Sequence, residues 1–208
     1  MMKNIVVFLI FICNCYVLNA GEMDPMKHSI WKLNTSNLGK FEEFKRMFAQ
    51  YGITLEATHF DLKEIDADPI SVVAHKASQL GDHVIIEDTS LEIEGASVGV
   101  NVRWLLDHLP EYAGRKTYWT VLLAYREGNE VIIYKGCVSG TIVQPSGTSG
   151  FGFDPVFLPE GASKTLAESK PDQYNARAKA VEALVKKKGA ITHPVIEKWE
   201  GPWQSDDH

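Results

Sequence analysis

Four short stretches of this chain concentrate side chains that could do chemistry. The first, "LNTSNLGK", packs Thr35, Ser36 and Asn37 into a joint that ends on Gly39 and Lys40. A strand passing through a polar turn into a helix N-terminus makes an anion site, because first-turn N–H groups are unpaired and the helix dipole is positive there. Thr35 and Asn37 add side-chain donors and Lys40 a full charge. The alternative is a plain helix cap by Ser36 or Asn37, with Lys40 in solvent. The second stretch, "IIEDTSLEI", sets Glu87 and Asp88 after an apolar run. Adjacent carboxylates there are costly unless paired or metal-bound, and magnesium favours one or two carboxylates plus substrate phosphates. Glu64, in "FDLKEID", supplies a third oxygen ligand on this reading. Its alternative is a strand exit whose Asp88, Thr89 and Ser90 make local turn bonds.

The third stretch is "SGFGFDP". Gly150 and Gly152 permit close backbone approach. Phe151 and Phe153 offer faces for stacking a base, and Asp154 offers a carboxylate to a ring N–H. A tight turn with two core aromatics fits equally. The fourth is "YNARAKAVEALVKKKG", where Arg177 and Lys179 are candidates to face a cleft and the run at 186–188 reads as a solvated helix end. No Walker A loop or H-E-x-x-H motif occurs, so P-loop and zincin hydrolase readings have no residues to rest on.

The elements that must position these residues follow from periodicity. Residues 29–35 read as a strand and 39–51 as a helix, with Phe41, Phe44, Phe48 and Tyr51 recurring at three and four residues. A strand over 54–62, a helix over 69–80 opened by Pro69, and a short buried strand over 83–88 follow. A helix over 100–109 is expected to stop at Pro110. Two β runs then flank a hairpin turn at 127–130, and a helix over 173–188 ends at Gly189. Beyond residue 190 the pattern gives no assignment. The order implies a mixed α/β domain over 26–190 with a cleft between two lobes, followed by a tail over 191–208.

The 208 residues carry a net charge of −6, which disfavours a nucleic-acid partner. Residues 1–25 stand apart. One lysine, an apolar run and Leu18-Asn19-Ala20 have the build of an export signal, too short for a comfortable membrane span. Alternatively, translation starts near Met26, just before the first strand, which implies a cytoplasmic protein. Of the three cysteines only Cys137 belongs to the folded part, and its strand pattern marks it as a packed small residue.

The ordered set Thr35-x-Asn37-x-x-Lys40, "EDTSL", "FGFDP" and "AE" before an alanine-rich helix resembles the inosine triphosphate pyrophosphatase family. The resemblance implies an elongated two-lobed α/β fold, a homodimer, and Mg2+-dependent cleavage of non-canonical purine nucleoside triphosphates to monophosphate and pyrophosphate. By that resemblance Thr35, Ser36, Asn37 and Lys40 form the phosphate turn. Glu64 and Asp88, with Glu87 beside them, form the metal site, and Asp88 is also the general base. Thr89 and Arg103 contact substrate, while Phe151, Gly152, Phe153 and Asp154 hold the base. Three departures stand out. Ser36 replaces a glycine. The stretch "GASVGVNVRW" lacks the family's Pro-Gly. In "YNARAKA", Tyr174 replaces a lysine and Ala178-Lys179-Ala180 replace Ser-His-Arg, so base selectivity is expected to relax unless Arg177 or Lys179 substitutes. The competing readings are a phosphohydrolase of another nucleotide or phosphorylated metabolite and a nucleotide-binding module without turnover.

Overall fold

In the computed structural model, the described residues are 30–96 and 102–204. The expected export signal lies outside them. A mixed sheet runs in the order β2-β1-β3-β4-β5-β6, with β7 also paired to β5. Its strands are β1 (Ile30–Asn34), β2 (Thr54–Thr58), β3 (Val84–Ile93), β4 (Lys116–Glu127), β5 (Glu130–Ile142), β6 (Phe157–Pro159) and β7 (Ile191–Pro194). Strands β2, β1 and β3 are mutually parallel, as helical crossovers require, and the β4–β5 hairpin turns back antiparallel. Its tight turn falls where the sequence put it, with Glu127 opposite Glu130 and Gly128 at φ 61°.

Helices cover both faces of the sheet. On one face, α1 (Leu38–Ala49) and α5 (Ala176–Val185) bury Phe44, Met47, Phe48, Ala180, Val181 and Leu184 against Leu33, Ile85, Trp119, Val121 and Leu123. On the other, α2 (Pro69–Ser78) buries Val73, Ala74 and Ala77 against Val84, Ile86, Leu122, Ala124 and Ile133. The alternation of β3 and β4 residues between these two cores is the period-2 pattern of a sheet covered on both sides. α5 lies so close to β5 that a Cβ at Gly136 would sit 2.1 Å from the Ala176 carbonyl oxygen. Any side chain there would lift the helix off the sheet.

Four elements differ from the sequence reading. β2 stops at Thr58 rather than at residue 62, because its ladder with β1 ends there, at Asn34 opposite Thr58. β3 does not stop at residue 88 but continues to Ile93, because β4 pairs with it as far as Ile93. Pro110 does not end a helix. Asp107 closes α3 (Val102–Asp107), and Pro110 falls in the first turn of α4 (Leu109–Tyr112), where its missing N–H costs nothing. The closing helix starts at Ala176 rather than 173. Asn175 caps it, accepting from the Arg177 and Ala178 amides, and a 3-10 turn over Asp172–Tyr174 precedes it. The residues after 190 pack onto the domain through β7 and an antiparallel bridge between Ile65 and Trp203. No helix among the described residues is long and apolar enough to cross a membrane.

Candidate active site

The site forms where one β ladder stops and its neighbour does not. β1 and β3 pair only as far as Asn34 opposite Ile86, while β3 stays paired to β4 through Glu87, Asp88 and Thr89. The chain leaving β1 therefore diverges from β3 and opens a cleft of about 500 Å³ lined by Thr35, Ser36, Asn37, Lys40, His59, Phe60, Lys76 and Glu87. Asn34 fixes its outer wall. Its Nδ2 donates to the Phe60 carbonyl, and its Oδ1 accepts from the Phe60 amide and the Thr58 hydroxyl.

The polar turn over 35–40 is both a cap and a cleft wall. Asn37 Oδ1 accepts from the Lys40 amide at 3.0 Å, so Asn37 is the N-cap of α1. Thr35 Oγ1 accepts from the Asn37 amide at 3.1 Å, which leaves the Thr35 hydroxyl proton for an outside acceptor.

Glu87 and Asp88 are adjacent but point to opposite faces of the sheet. Glu87 faces α1 and α5, with its side chain 3% exposed. Lys40 Nζ donates to its Oε2 at 2.7 Å, the Thr89 hydroxyl donates to Oε1, and Arg177 Nε lies 3.5 Å from the same oxygen. Burial alone would raise the Glu87 carboxyl, but Lys40 and Arg177 outweigh it and hold the group below the usual carboxylate range. Asp88 faces α2. Burial pushes it up to about 6, aided by Glu87 and Glu64 and opposed by Lys76. Lys76 Nζ sits 2.5 Å from Glu64 Oε1 and 4.0 Å from Asp88 Oδ1, so two carboxylates converge on one cation. Among the described residues no group of three or more His, Cys, Asp or Glu side chains surrounds a common metal position. The expected trio of Glu64, Glu87 and Asp88 thus resolves into a pair, with Glu87 committed to Lys40, Thr89 and Arg177.

The loop over 150–154 departs further from expectation. Phe153 is 7% exposed and packs edge-on against Trp119, so it turns no stacking face to the cleft. Asp154 is 2% exposed, accepts from the Phe151 amide at 3.0 Å and pairs with Lys170 Nζ at 2.9 Å. A Cβ on Gly150 would fall 2.2 Å from Asp154 Oδ2, and Gly150 has φ 80°, so the loop needs glycine there. Phe151 remains beside the site, but two cations cover it. Lys170 Nζ lies 4.7 Å and the Arg177 guanidinium carbon 4.9 Å from its ring centre. Arg177 is 2% exposed. It spans Phe151 and Trp119 and pairs with Glu43 at 3.1 Å, and Glu43 in turn pairs with Lys170. Gly152 is exposed in this loop at φ 65°.

Tyr174 and Lys179 line separate depressions that share no residue with the cleft. The Tyr174 hydroxyl donates to the Gly161 carbonyl, and Lys179 is exposed beside Gln173 and Glu182. Arg103 belongs to α3, but its side chain lies outside the described residues. Sequence reasoning missed Lys76, Glu43 and Lys170. A single lysine on an apolar helix has no periodic signature, whereas Glu43, one turn beyond Lys40 on α1, was findable as its i+3 neighbour.

A family model described as the Ham1 family matches residues 31–187. The chain belongs to the Ham1 family. Its relatives in that family include the dITP/XTP pyrophosphatase of Methanopyrus kandleri, 31% identical over 169 residues covering 71% of this chain and 90% of that protein. The inosine triphosphate pyrophosphatase of Yarrowia lipolytica is 33% identical over 171 residues, covering 72% of this chain and 90% of that one. A HAM1 protein from Coxiella burnetii has a similar fold, with a TM-score of 0.56 at 20% identity over 76% of this chain and 97% of that one. The Ham1 relationship therefore spans β1 through α5, and 191–204 follow the matched residues.

Proposed function

We propose that the protein is a nucleoside triphosphate pyrophosphatase that takes non-canonical purine nucleotides and cleaves the α–β anhydride to give a monophosphate and pyrophosphate. One observation carries the reading. Where the β1–β3 ladder ends, an anion-binding helix N-terminus bearing Thr35, Ser36, Asn37 and Lys40 shares one cleft with Lys76, which the carboxylates of Glu64 and Asp88 flank. Ham1 relatives whose names specify dITP/XTP and inosine triphosphate pyrophosphatases support the same substrate class.

Glu64 and Asp88 suit a hard divalent cation. Both already converge on an ammonium, and Asp88 is pushed up to about 6 because its negative neighbours and burial are undercompensated. Magnesium accepts such a sparse carboxylate set because phosphates and water complete its shell. When bound, it would neutralise phosphate charge as the anhydride breaks. The protein's own groups do the rest. Thr35, Ser36 and the α1 N-terminus hold phosphate oxygens, and Lys40 adds a charge that Glu87 keeps at the cleft floor. The Asp88 carboxylate takes a proton from the attacking water. The water oxygen bonds to phosphorus, and pyrophosphate leaves with the electron pair of the broken P–O bond. A base titrating near neutrality suits that task.

Base recognition is weakly equipped on this reading. Phe153 lies in the core, Asp154 is tied to Lys170, and Arg177 is tied to Glu43 and Glu87. An apolar wall without free readers discriminates bases by roughly 10²-fold at most. Asp88→Asn tests the assignment. Loss of the base should lower kcat by about 10²-fold or more while inosine triphosphate binding stays measurable by calorimetry. A variant with near-wild-type kcat removes Asp88 from the mechanism.

A further inference from the structure

The segment carrying Glu64 has little structure of its own. Residues 59–64 belong to no helix or strand. Among the described residues, main-chain hydrogen bonds on 61–67 run to the C-terminal segment. The Gln204 amide donates to the Glu64 carbonyl at 3.0 Å, and the Asp66 amide donates to the Pro202 carbonyl at 3.0 Å. Gln204 Nε2 donates to the Ile65 carbonyl at 3.1 Å. Between them Ile65, fully buried, forms its bridge to Trp203.

The same segment also grips the helix that carries Lys76. The Trp203 ring meets His75 edge-on at 5.3 Å, and the Ile196 amide donates to the Ser78 hydroxyl at 2.9 Å. One end is fixed on the sheet, and the other folds on itself. β7 pairs with the long strand β5 from Ile191 opposite Ile133 to Pro194 opposite Glu130. Near the other end, the Trp199 indole donates to the Pro202 carbonyl, and the Trp199 ring lies so close to Gly201 that a Cβ there would come within 2.6 Å of it. The segment is therefore anchored to rigid sheet, crosses α2, and ends on the main chain of the loop that presents Glu64.

We propose that residues 191–204 are a positioning strap for the Glu64–Lys76–Asp88 group, with Gln204 and Trp203 as the positioning residues. The hydrogen bonds and ion pairs of these three side chains run to one another and not to the strap. The strap acts by holding the backbone from which Glu64 projects and the helix from which Lys76 projects, so that both reach the same point beside Asp88. Without it, the Glu64 loop loses its main-chain partners, and the carboxylate no longer holds its place against Lys76.

This inference rests on the assignment of Glu64 as a cation ligand, and the experiment separates the two. Mg2+ alone is titrated into the full chain while Tm is followed, for wild type, Glu64→Gln, Gln204→Ala and the double variant Trp203→Ala/Gln204→Ala. Loss of outer contacts to a metal ligand weakens metal binding by about 10-fold or more, so the double variant should shift the Mg2+ midpoint upward by that factor. Gln204→Ala, which removes a single side-chain bond, should shift it by about threefold, the scale of one hydrogen bond, and serves alone where the double variant fails to fold. Amide exchange at Asp66 should quicken in the same variants. At saturating Mg2+, KM for the triphosphate should change little, since the phosphate turn is untouched. An unchanged Mg2+ midpoint in Gln204→Ala, beside a lost response in Glu64→Gln, overturns the strap and leaves the Glu64 assignment standing. An unchanged response in Glu64→Gln overturns both.

Discussion

Replacing Lys40 with alanine should do two separable things, because its ammonium serves both the cleft and the buried Glu87. The Lys40–Glu87 pair is asymmetric, with side-chain exposures of 26% and 3% at a separation of 2.7 Å. Removing one partner of a fully buried pair costs about 3–5 kcal/mol. Here water reaches Lys40, and Arg177 remains 3.5 Å from the orphaned carboxylate, so the cost falls to about 2 kcal/mol. For a chain of this size that is a Tm drop of about 4–8 °C. The pH dependence identifies the cause. Glu87 titrates below its ordinary value when folded, so its contribution is present above the unfolded carboxylate range and is lost as pH falls through the folded value. The difference in Tm between wild type and Lys40→Ala should therefore be full at pH 7 and shrink below about pH 4.3. In a Glu87→Gln background the same substitution should cost much less. Calorimetric scans of the four proteins at several pH values, with KM for inosine triphosphate measured alongside, make the test. A Tm loss that is equal at acid and neutral pH and unaffected by Glu87→Gln would refute the pairing argument. An unchanged KM would return Lys40 to the role of a plain first-turn residue.

Asp88 should make the protein without divalent cation less stable as pH rises. Its carboxyl is raised from 3.8 to about 6, so stability present below the lower value is lost as pH climbs through the higher one. With the side chain one-quarter exposed, the loss should be about 1–2 kcal/mol. Mg2+ should restore it, and its effect on Tm should grow between pH 5 and 7; a pH-independent Mg2+ effect would contradict this. The ratio of kcat/KM for inosine over adenosine triphosphate should stay below about 10²-fold, the scale of a mainly apolar pocket, and a ratio of thousands would reveal a base reader. Arg177→Ala should lower Tm by several degrees, since it strips Glu43 and Glu87 of a cation buried between two aromatic rings.

The parts of this architecture that depend on local chemistry were legible in the chain. The polar turn before α1, the Pro-opened α2, the hairpin at Gly128 and the apolar face of α1 each announce themselves within a dozen residues. Interactions across long separations were not. That Glu87 and Asp88 face opposite sides of the sheet follows from strand periodicity, but only once β3 is known to run through them. Their continuation is decided by β4, about thirty residues away. Phe151 and Phe153 look equivalent in "FGFDP", yet one is core and the other is covered by Lys170 and Arg177. Nothing local marks Gln204 as a partner of residues 64 and 65, because that pairing spans the length of the domain.

The central claim is cleavage between the α and β phosphates, and the products decide it. Purified protein incubated with inosine triphosphate and Mg2+, with the mixture resolved chromatographically at early times, should yield inosine monophosphate and pyrophosphate in equal amounts from the first turnover. Inosine diphosphate with free orthophosphate, or intact triphosphate after prolonged incubation, would contradict it.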